Sequence, residues 1–448
     1  MTSPHIPEPD LALLASDPDA IAPSRTLEIH AHLGRCADCA EAFDAFVVAF
    51  AGEDDEAFLT SDGSIASMEY GARVARENAE ADELLKDYFA EPEKAAWRNL
   101  AAQRKFLHGG VVRRLAQRAF DLSMREPLDA LTFADAAIAV AEAISEDAYP
   151  KNVVHDLRGR AWKERANALN QLGEPAAALD ALDHAERAYK RLASNALGLG
   201  NVAFVRSGAY LLLERFSDAD RAALVAEALY ERLGDAERHT RVLFQRGNIK
   251  YESRELEGAA ILFRRVIAYG ETEQNQDWIA SGSYALGNCV LETGDIESAA
   301  MLFSAAIGIC RRTGQEFLAY AEWGMARVLL ARGLFNESLR RLTAVHAQLA
   351  KRGVMLDAAV AAMDAMDAMV ALRMFRQVGA LARAVFRTFT DAGVLTSALT
   401  ALSFIQAAAA QKRLTREQVH TIRSFVKRLE REPNLLFLPP PDEPGKKR

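Results

Sequence analysis

The sequence predicts an all-α protein: a small N-terminal helical unit followed by an α-solenoid of stacked helical hairpins. Three observations predict it. No stretch shows the two-residue alternation of a strand, whereas apolar residues recur at helical spacing from residue 96 onward. Small residues recur about every 40 positions, the mark of a repeat array in which each hairpin buries its apolar face against its neighbours. Near the N-terminus, His32, Cys36 and Cys39 stand in the spacing H-x-x-x-C-x-x-C.

Composition narrows the function. The 448 residues are 50% hydrophobic and 26% charged, the balance of an ordinary soluble chain. The net charge of -8 argues against broad affinity for nucleic acid or anionic lipid, with a local basic patch open around Arg113, Arg114 and Arg118. Four cysteines do not make a disulfide framework, so free or metal-bound thiols in a reducing compartment are expected. The residues after Met1 have neither the basic nor the apolar stretch of a signal peptide, and no uncharged apolar run approaches the roughly 20 residues of a membrane span. A cytoplasmic protein is the expectation.

The first unit is expected over residues 1–50. Asp10 stands where it can cap a short helix from Leu11 to Ala15, and Asp17-Pro18-Asp19 breaks it. Ser24 can cap a second helix carrying Leu27 and Leu33, with Gly34 as its stop, and a third runs from Cys39 to Phe50. Residues 51–95 read as an acidic linker, Gly52 to Glu56, followed by a helix from Tyr70 to Tyr88. The array occupies 96–433, and the proline-rich, charged residues 434–448 read as a disordered tail.

Within the array, the small site falls at Ala166, Gly208, Gly247, Gly287 and Ala326, with steps of 42, 39, 40 and 39 residues; extended by the same step it lands on Met366 and Gln406. Twelve residues after the small site come Ala178, Ala259, Ala299 and Ser338; sixteen after, Leu182, Phe263, Phe303 and Leu342; nineteen after, Ala185, Val266, Ala306 and Val345. A small residue on the first helix of a hairpin lets a large one on the second approach closely. Gly234, Gly270, Gly314, Gly353 and Gly393 follow the second helices, where a C-cap calls for a left-handed residue. Leu286-Gly287, Val290, Gly294, Ala299, Phe303 and Ala306 resemble the tetratricopeptide pattern, and the resemblance extends over residues 97–430. Two departures stand out: a period near 40 rather than about 34, and no repeat-ending proline.

Cys36 and Cys39 form a knuckle whose two thiolates face one ion, and His32 reaches the same ion from the preceding helix. Two soft sulfurs and an imidazole in so short a stretch favour tetrahedral zinc. His5 is the best fourth ligand; His30 competes, although it points about 200° away from His32 on a helix, and a water is the third option. The same pair is also compatible with a redox switch. This segment, with helices on both sides, resembles the zinc-binding anti-sigma fold. The resemblance implies that His32, Cys36 and Cys39 are the motif's ligands, with His5 matching the upstream ligand only by approximate spacing. It also implies a sigma factor as partner.

The remaining chemistry is sparse. Cys289 and Cys310 lie inside repeats and read as small buried hydrophobes. The other histidines pair with no nucleophile, and no phosphate-binding loop, nucleophile elbow or zinc-protease motif occurs. A non-enzymatic protein is expected. Asn167, Asn248 and Asn288 follow the small site in three repeats, where tetratricopeptide grooves hydrogen-bond a peptide backbone; Lys163 and Arg241 would add a carboxylate-binding charge. The alternative for these residues is solvent-facing or inter-repeat hydrogen bonding. The expected function is a regulator whose head holds a protein partner and whose repeats read a peptide or protein signal. The alternative is a repeat scaffold with a degenerate or redox-switching finger.

Overall fold

Helix follows helix through the computed structural model, which contains no strand among its described residues. Those residues are 5–16, 63–90, 100–145, 149–192, 195–314, 317–391, 396–429 and 435–438, together with 21, 25, 28, 29, 32, 33, 36, 39 and 43. The expected stop at Gly34, the rival ligand His30, the acidic linker, Gly393 and the charged end of the tail lie outside them. Contacts divide the chain into two units, residues 1–245 and 246–448.

The head opens on α1 (Glu8–Ser16). It begins two residues before the expected cap: Pro9 needs no amide partner in a first turn, and Asp10 is used instead to bind the Arg25 guanidinium at 2.7 Å. Leu11, Leu14, Ile29, Leu33, Cys39 and Phe43 close a small core.

Next comes α2 (Gly63–Ala90), longer at both ends than the predicted helix. It packs on α3 (Gly109–Leu122), which follows two 3-10 turns, Leu100–Ala102 and Arg104–Phe106. The approach is so close that a Cβ on Gly110 would lie 2.1 Å from the Glu77 carbonyl oxygen. The Glu77 carboxylate is buried and accepts from Arg73, Arg113 and the Tyr149 hydroxyl. Burial pushes its pKa up, but these donors outweigh burial and hold it below the ordinary value. The basic cluster thus serves the fold: Arg113 binds Glu77 and Asn78, Arg114 binds Asp82, and Arg118 lies over the Phe89 ring.

From α3 onward the helices pair. In the first unit α4 (Pro127–Ala143) follows α3; α5 (Lys151–Gln171) pairs with α6 (Pro175–Tyr189), and α7 (Ala196–Leu212) with α8 (Phe216–Arg232). The division falls inside α9 (Ala236–Glu252). The second unit continues through α10 (Leu256–Thr272), α11 (Gln276–Glu292), α12 (Ile296–Thr313), α13 (Leu318–Ala331), α14 (Phe335–Lys351), α15 (Met355–Ala371), α16 (Phe375–Asp391), α17 (Thr396–Ala410) and α18 (Arg416–Arg428). No helix among the described residues is long and apolar enough to cross a membrane.

The recurring positions are the core of the hairpins. Ala178, Ala259, Ala299 and Ser338 are all fully buried, as are Leu182, Phe263, Phe303 and Leu342. One register needs correction. Gly208 is half-buried and meets nothing closer than 3.7 Å, whereas Ser207 is fully buried. Ser207 holds the small site. From it, the 12, 16 and 19 steps land on Ala219, Ala223 and Ala226, every one fully buried. The glycine next door attracted the assignment because side-chain size alone does not say which way a helical residue faces.

Met366 shows the complementary solution. It occupies the small site, and Ala382 stands where four of the other repeats carry leucine or phenylalanine (Leu182, Phe263, Phe303 and Leu342); both are fully buried, so here the volume has changed sides. Among the glycines, Gly234, Gly314 and Gly353 do take left-handed backbone, with Gly314 at φ 71° closing α12. Gly270 does not. It lies inside α10, where a Cβ would sit 2.9 Å from the Ile279 amide nitrogen, and the left-handed residue after that helix is Gln274, at φ 53°. Gly270 is small so that α11 can approach, not so that the chain can turn.

Candidate functional site

Four side chains separated by up to 34 residues in sequence converge in the head. The ligand atoms of His5, His32, Cys36 and Cys39 all lie within 4.8 Å of one another. His5 Nδ1 is 3.3 Å from Cys39 Sγ and 3.4 Å from Cys36 Sγ. The edges of a tetrahedral zinc site with these donors are about 3.3–3.8 Å, from metal–sulfur and metal–nitrogen bonds of roughly 2.3 and 2.0 Å. The backbone amide of Ile6 donates to Cys39 Sγ at 3.4 Å, an outer-shell contact that stabilises a thiolate.

The local folding explains the convergence. The Cys36 amide donates to the His32 carbonyl at 3.0 Å, a one-turn spacing that keeps the two side chains within reach of one another. Cys39 is helical and buried, in one cluster with Leu11 and Phe43. Residues 5–7, which lie outside regular secondary structure, lead into α1 and bring His5 beside the two sulfurs. His32 Nε2 is buried and has no hydrogen-bond partner. A buried, unpartnered imidazole nitrogen beside two sulfurs fits a metal ion, and the donor set of two sulfurs and two nitrogens suits zinc.

A second concave feature lies in the first unit. A cavity of about 390 Å³ is lined by residues of α3, α5, α6, α7 and α9, Lys163 and Arg241 among them. Arg160 and Arg238 add two further cations, against the carboxylates of Asp156 and Glu164. Lys163 is paired with its neighbour Glu164, and Arg241 lies 3.4 Å from Glu237. Phe120 and Tyr189 supply aromatic wall, and Asn195 and Asn201 supply amides. Arg160, Arg238, Asn195 and Asn201 carried no spacing signal in the sequence, because they face the same space only once α5, α7 and α9 are placed.

The asparagine ladder is divided between surroundings. Asn167 donates to Glu164 at 2.6 Å. Asn248 is half-buried on α9, in the second unit. Asn288 accepts from Arg327 of the following repeat at 3.0 Å. The other two cysteines are buried packing: Cys289 is 1% exposed, and burial pushes its thiol up to about 12. Alkylation of the metal-free native protein is therefore expected at Cys36 and, once the head opens, at Cys39, with Cys289 and Cys310 unlabelled until global unfolding. Mass mapping of the modified thiols checks this.

No protein-family model matches the sequence, and no curated protein does. Solved structures do share its fold. A Rap protein complexed with competence and sporulation factor aligns over 80% of this chain and 99% of its own, at 11% identity and a TM-score of 0.50. A signal-transduction ATPase with numerous domains from Pyrococcus horikoshii, which carries a tetratricopeptide repeat sensor, aligns over 77% of this chain at 14% identity and a TM-score of 0.51. The alignment spans about half of that longer protein, 53%. At such identities the likeness is one of fold, and that fold is the tetratricopeptide-like helical repeat.

Proposed function

We propose that this chain is a non-enzymatic, zinc-clasped regulator. Its head holds a protein partner, and the repeats of its first unit read a peptide or protein signal. The observation that carries the reading is the gathering of His5, His32, Cys36 and Cys39 into one cluster whose ligand atoms lie within 4.8 Å of one another. A closed site of four protein ligands leaves no position for substrate, so zinc there is structural rather than catalytic. The resemblance of the His32–Cys39 motif to zinc-binding anti-sigma proteins makes an extracytoplasmic-function sigma factor the partner of choice for the head.

The cavity in the first unit supports the signal-reading role. Its four cations outnumber its two carboxylates, so it favours an acidic segment, with the asparagines available to a peptide backbone. The Rap protein of like fold is complexed with a factor, which supports a ligand-binding role for repeats of this kind.

Metal analysis of the purified protein tests the reading, with about one zinc per chain expected. A sigma factor from the same host should co-elute with the native protein and be lost when a chelator strips the metal. Metal-free protein that binds the same partner undiminished would make the head incidental and favour a repeat scaffold. In the groove, the double variant Lys163→Glu with Arg241→Glu is expected to weaken binding of acidic peptides about threefold to tenfold, the range for two partly exposed charges. Titration of a labelled acidic peptide at low and moderate salt checks it, because the native affinity should fall with salt more steeply than the variant's.

A further inference from the structure

In the second unit the alternation of hairpins breaks at its end. α17 packs on α16, but α18 lies mainly on α15, three helices back. Its sequence has one cationic face: Arg416, His420, Arg423 and Lys427 stand at i, i+4, i+7 and i+11. Beside that face runs a fully buried apolar stripe of Val419, Ile422 and Val426.

Every cation on the face meets a carboxylate. Arg416 grips both oxygens of Asp367, at 2.5 and 2.7 Å, and His420 Nε2 lies 3.0 Å from the same carboxylate. Arg423 donates to Asp364 at 3.3 Å, and Lys427 reaches Glu252 on α9 at 3.4 Å. Asp364 also accepts from the Trp323 indole at 2.7 Å. α18 therefore lies along α15 and reaches α9 through Lys427, rather than extending the stack.

The receiving surface is peculiar for a core. α15 is built of alanine and methionine, yet carries Asp364 and Asp367 at 5% and 1% exposure. Buried carboxylates demand partners, and these obtain theirs from a segment 49 to 59 residues away. The turn that delivers α18 is short, with Lys412 in left-handed backbone at φ 55° and Thr415 closing a capping box with Gln418.

We propose that this face of the second unit is a binding site for a cationic amphipathic helix of a partner protein, and that α18 is its intramolecular occupant. The recognition element is the spacing of cations at i, i+4, i+7 and i+11 beside an apolar stripe. A partner helix with that pattern competes with α18 for Asp364, Asp367 and Glu252. The site is independent of the zinc clasp and of the cavity in the first unit.

The test uses the full chain and a fluorescein-labelled peptide of residues 412–430 as the probe. The native protein binds the peptide weakly, because an occupied site lowers apparent affinity by the fraction that is open. The double variant Arg416→Glu with Arg423→Glu releases α18 and binds the peptide at least tenfold more tightly. Hydrogen exchange then shows α18 open, with α11, α13 and α15 still protected. Adding Asp367→Lys to that variant abolishes the gain. A second form guards against a variant that fails to fold: the native chain, with a specific protease site inserted between Gln411 and Lys412, is cut after folding and challenged with the labelled peptide, which should replace the resident helix. Retention of the cut helix against excess peptide overturns the proposal, and so does a variant with no tighter binding. Dimerisation of the released variant without peptide binding assigns the face to a second copy and overturns it too.

Discussion

Replacing Cys39 with serine, or stripping the metal from the native chain, is expected to unfold the head while the repeats keep their helices. Among the described residues the buried core of the head is Leu11, Leu14, Ile29, Leu33, Cys39 and Phe43, with Ile6, Ile21 and Cys36 packed against it. So small a cluster does not offset the conformational entropy of ordering some 40 residues, at about 1–2 kcal/mol each for the backbone alone. Zinc bound as proposed would make up the difference: structural sites bind with an apparent free energy of roughly 10–16 kcal/mol near neutral pH, which appears as folding free energy when the apo site is disordered. Loss of one thiolate removes a ligand and puts a hydroxyl into that core at once. Amide exchange should then be fast at residues 5–43 and unchanged in α5 through α16, with a small loss of overall helicity. Chelation of the native protein separates the two causes, since it leaves Cys39 in place. Slow exchange in the metal-free head would refute the clasp.

Gly324→Ala is expected to destabilise the second unit by about 1–3 kcal/mol, the usual cost of overpacking a core. Phe303 stands between two glycines. A Cβ on Gly287 would lie 2.9 Å from its ring, and one on Gly324 only 2.3 Å away. Both distances are shorter than real Cβ contacts, and the ring is held on its other sides: Phe303 is fully buried, with Ala299 and Val328 in its cluster. The ring has no free end to swing away, so α11 or α13 must shift. Phe303→Leu costs stability alone by leaving a void, yet combined with Gly324→Ala it should recover part of the loss. Urea unfolding of both singles and the double gives the coupling. Additive losses would show that Gly324 is small for some reason other than this ring.

These expectations rest on different depths of reading. The hairpin array was legible because its signal is repeated: a residue type recurring at one helical phase, with its partner sixteen positions later, has few explanations other than stacked pairs. At Ser207-Gly208 two small residues stand side by side, and size alone does not fix which of them faces the partner helix. Gly270 was read as a stop for a similar reason, since close approach and left-handed backbone both select glycine. That His32, Cys36 and Cys39 come together was legible from their short spacing. His5 was an inference from distance along the chain, and the structure places its Nδ1 beside both sulfurs. The cavity of the first unit was half legible: Lys163 and Arg241 were singled out, but Arg160, Arg238, Asn195 and Asn201 were not. The grip of α15 on α18 was invisible, because charges 49 to 59 residues apart carry no periodicity.

By itself the sequence determined the all-helical class, the pairing of helices and the eight-residue motif, since each depends on residues close along the chain, where helical geometry converts spacing directly into direction. Which carboxylates are buried, which cations share a cavity and where the last helix lies were decided by tertiary structure. Those outcomes turn on desolvation and packing between helices distant in sequence, and a buried charge takes whatever partner the fold brings within reach.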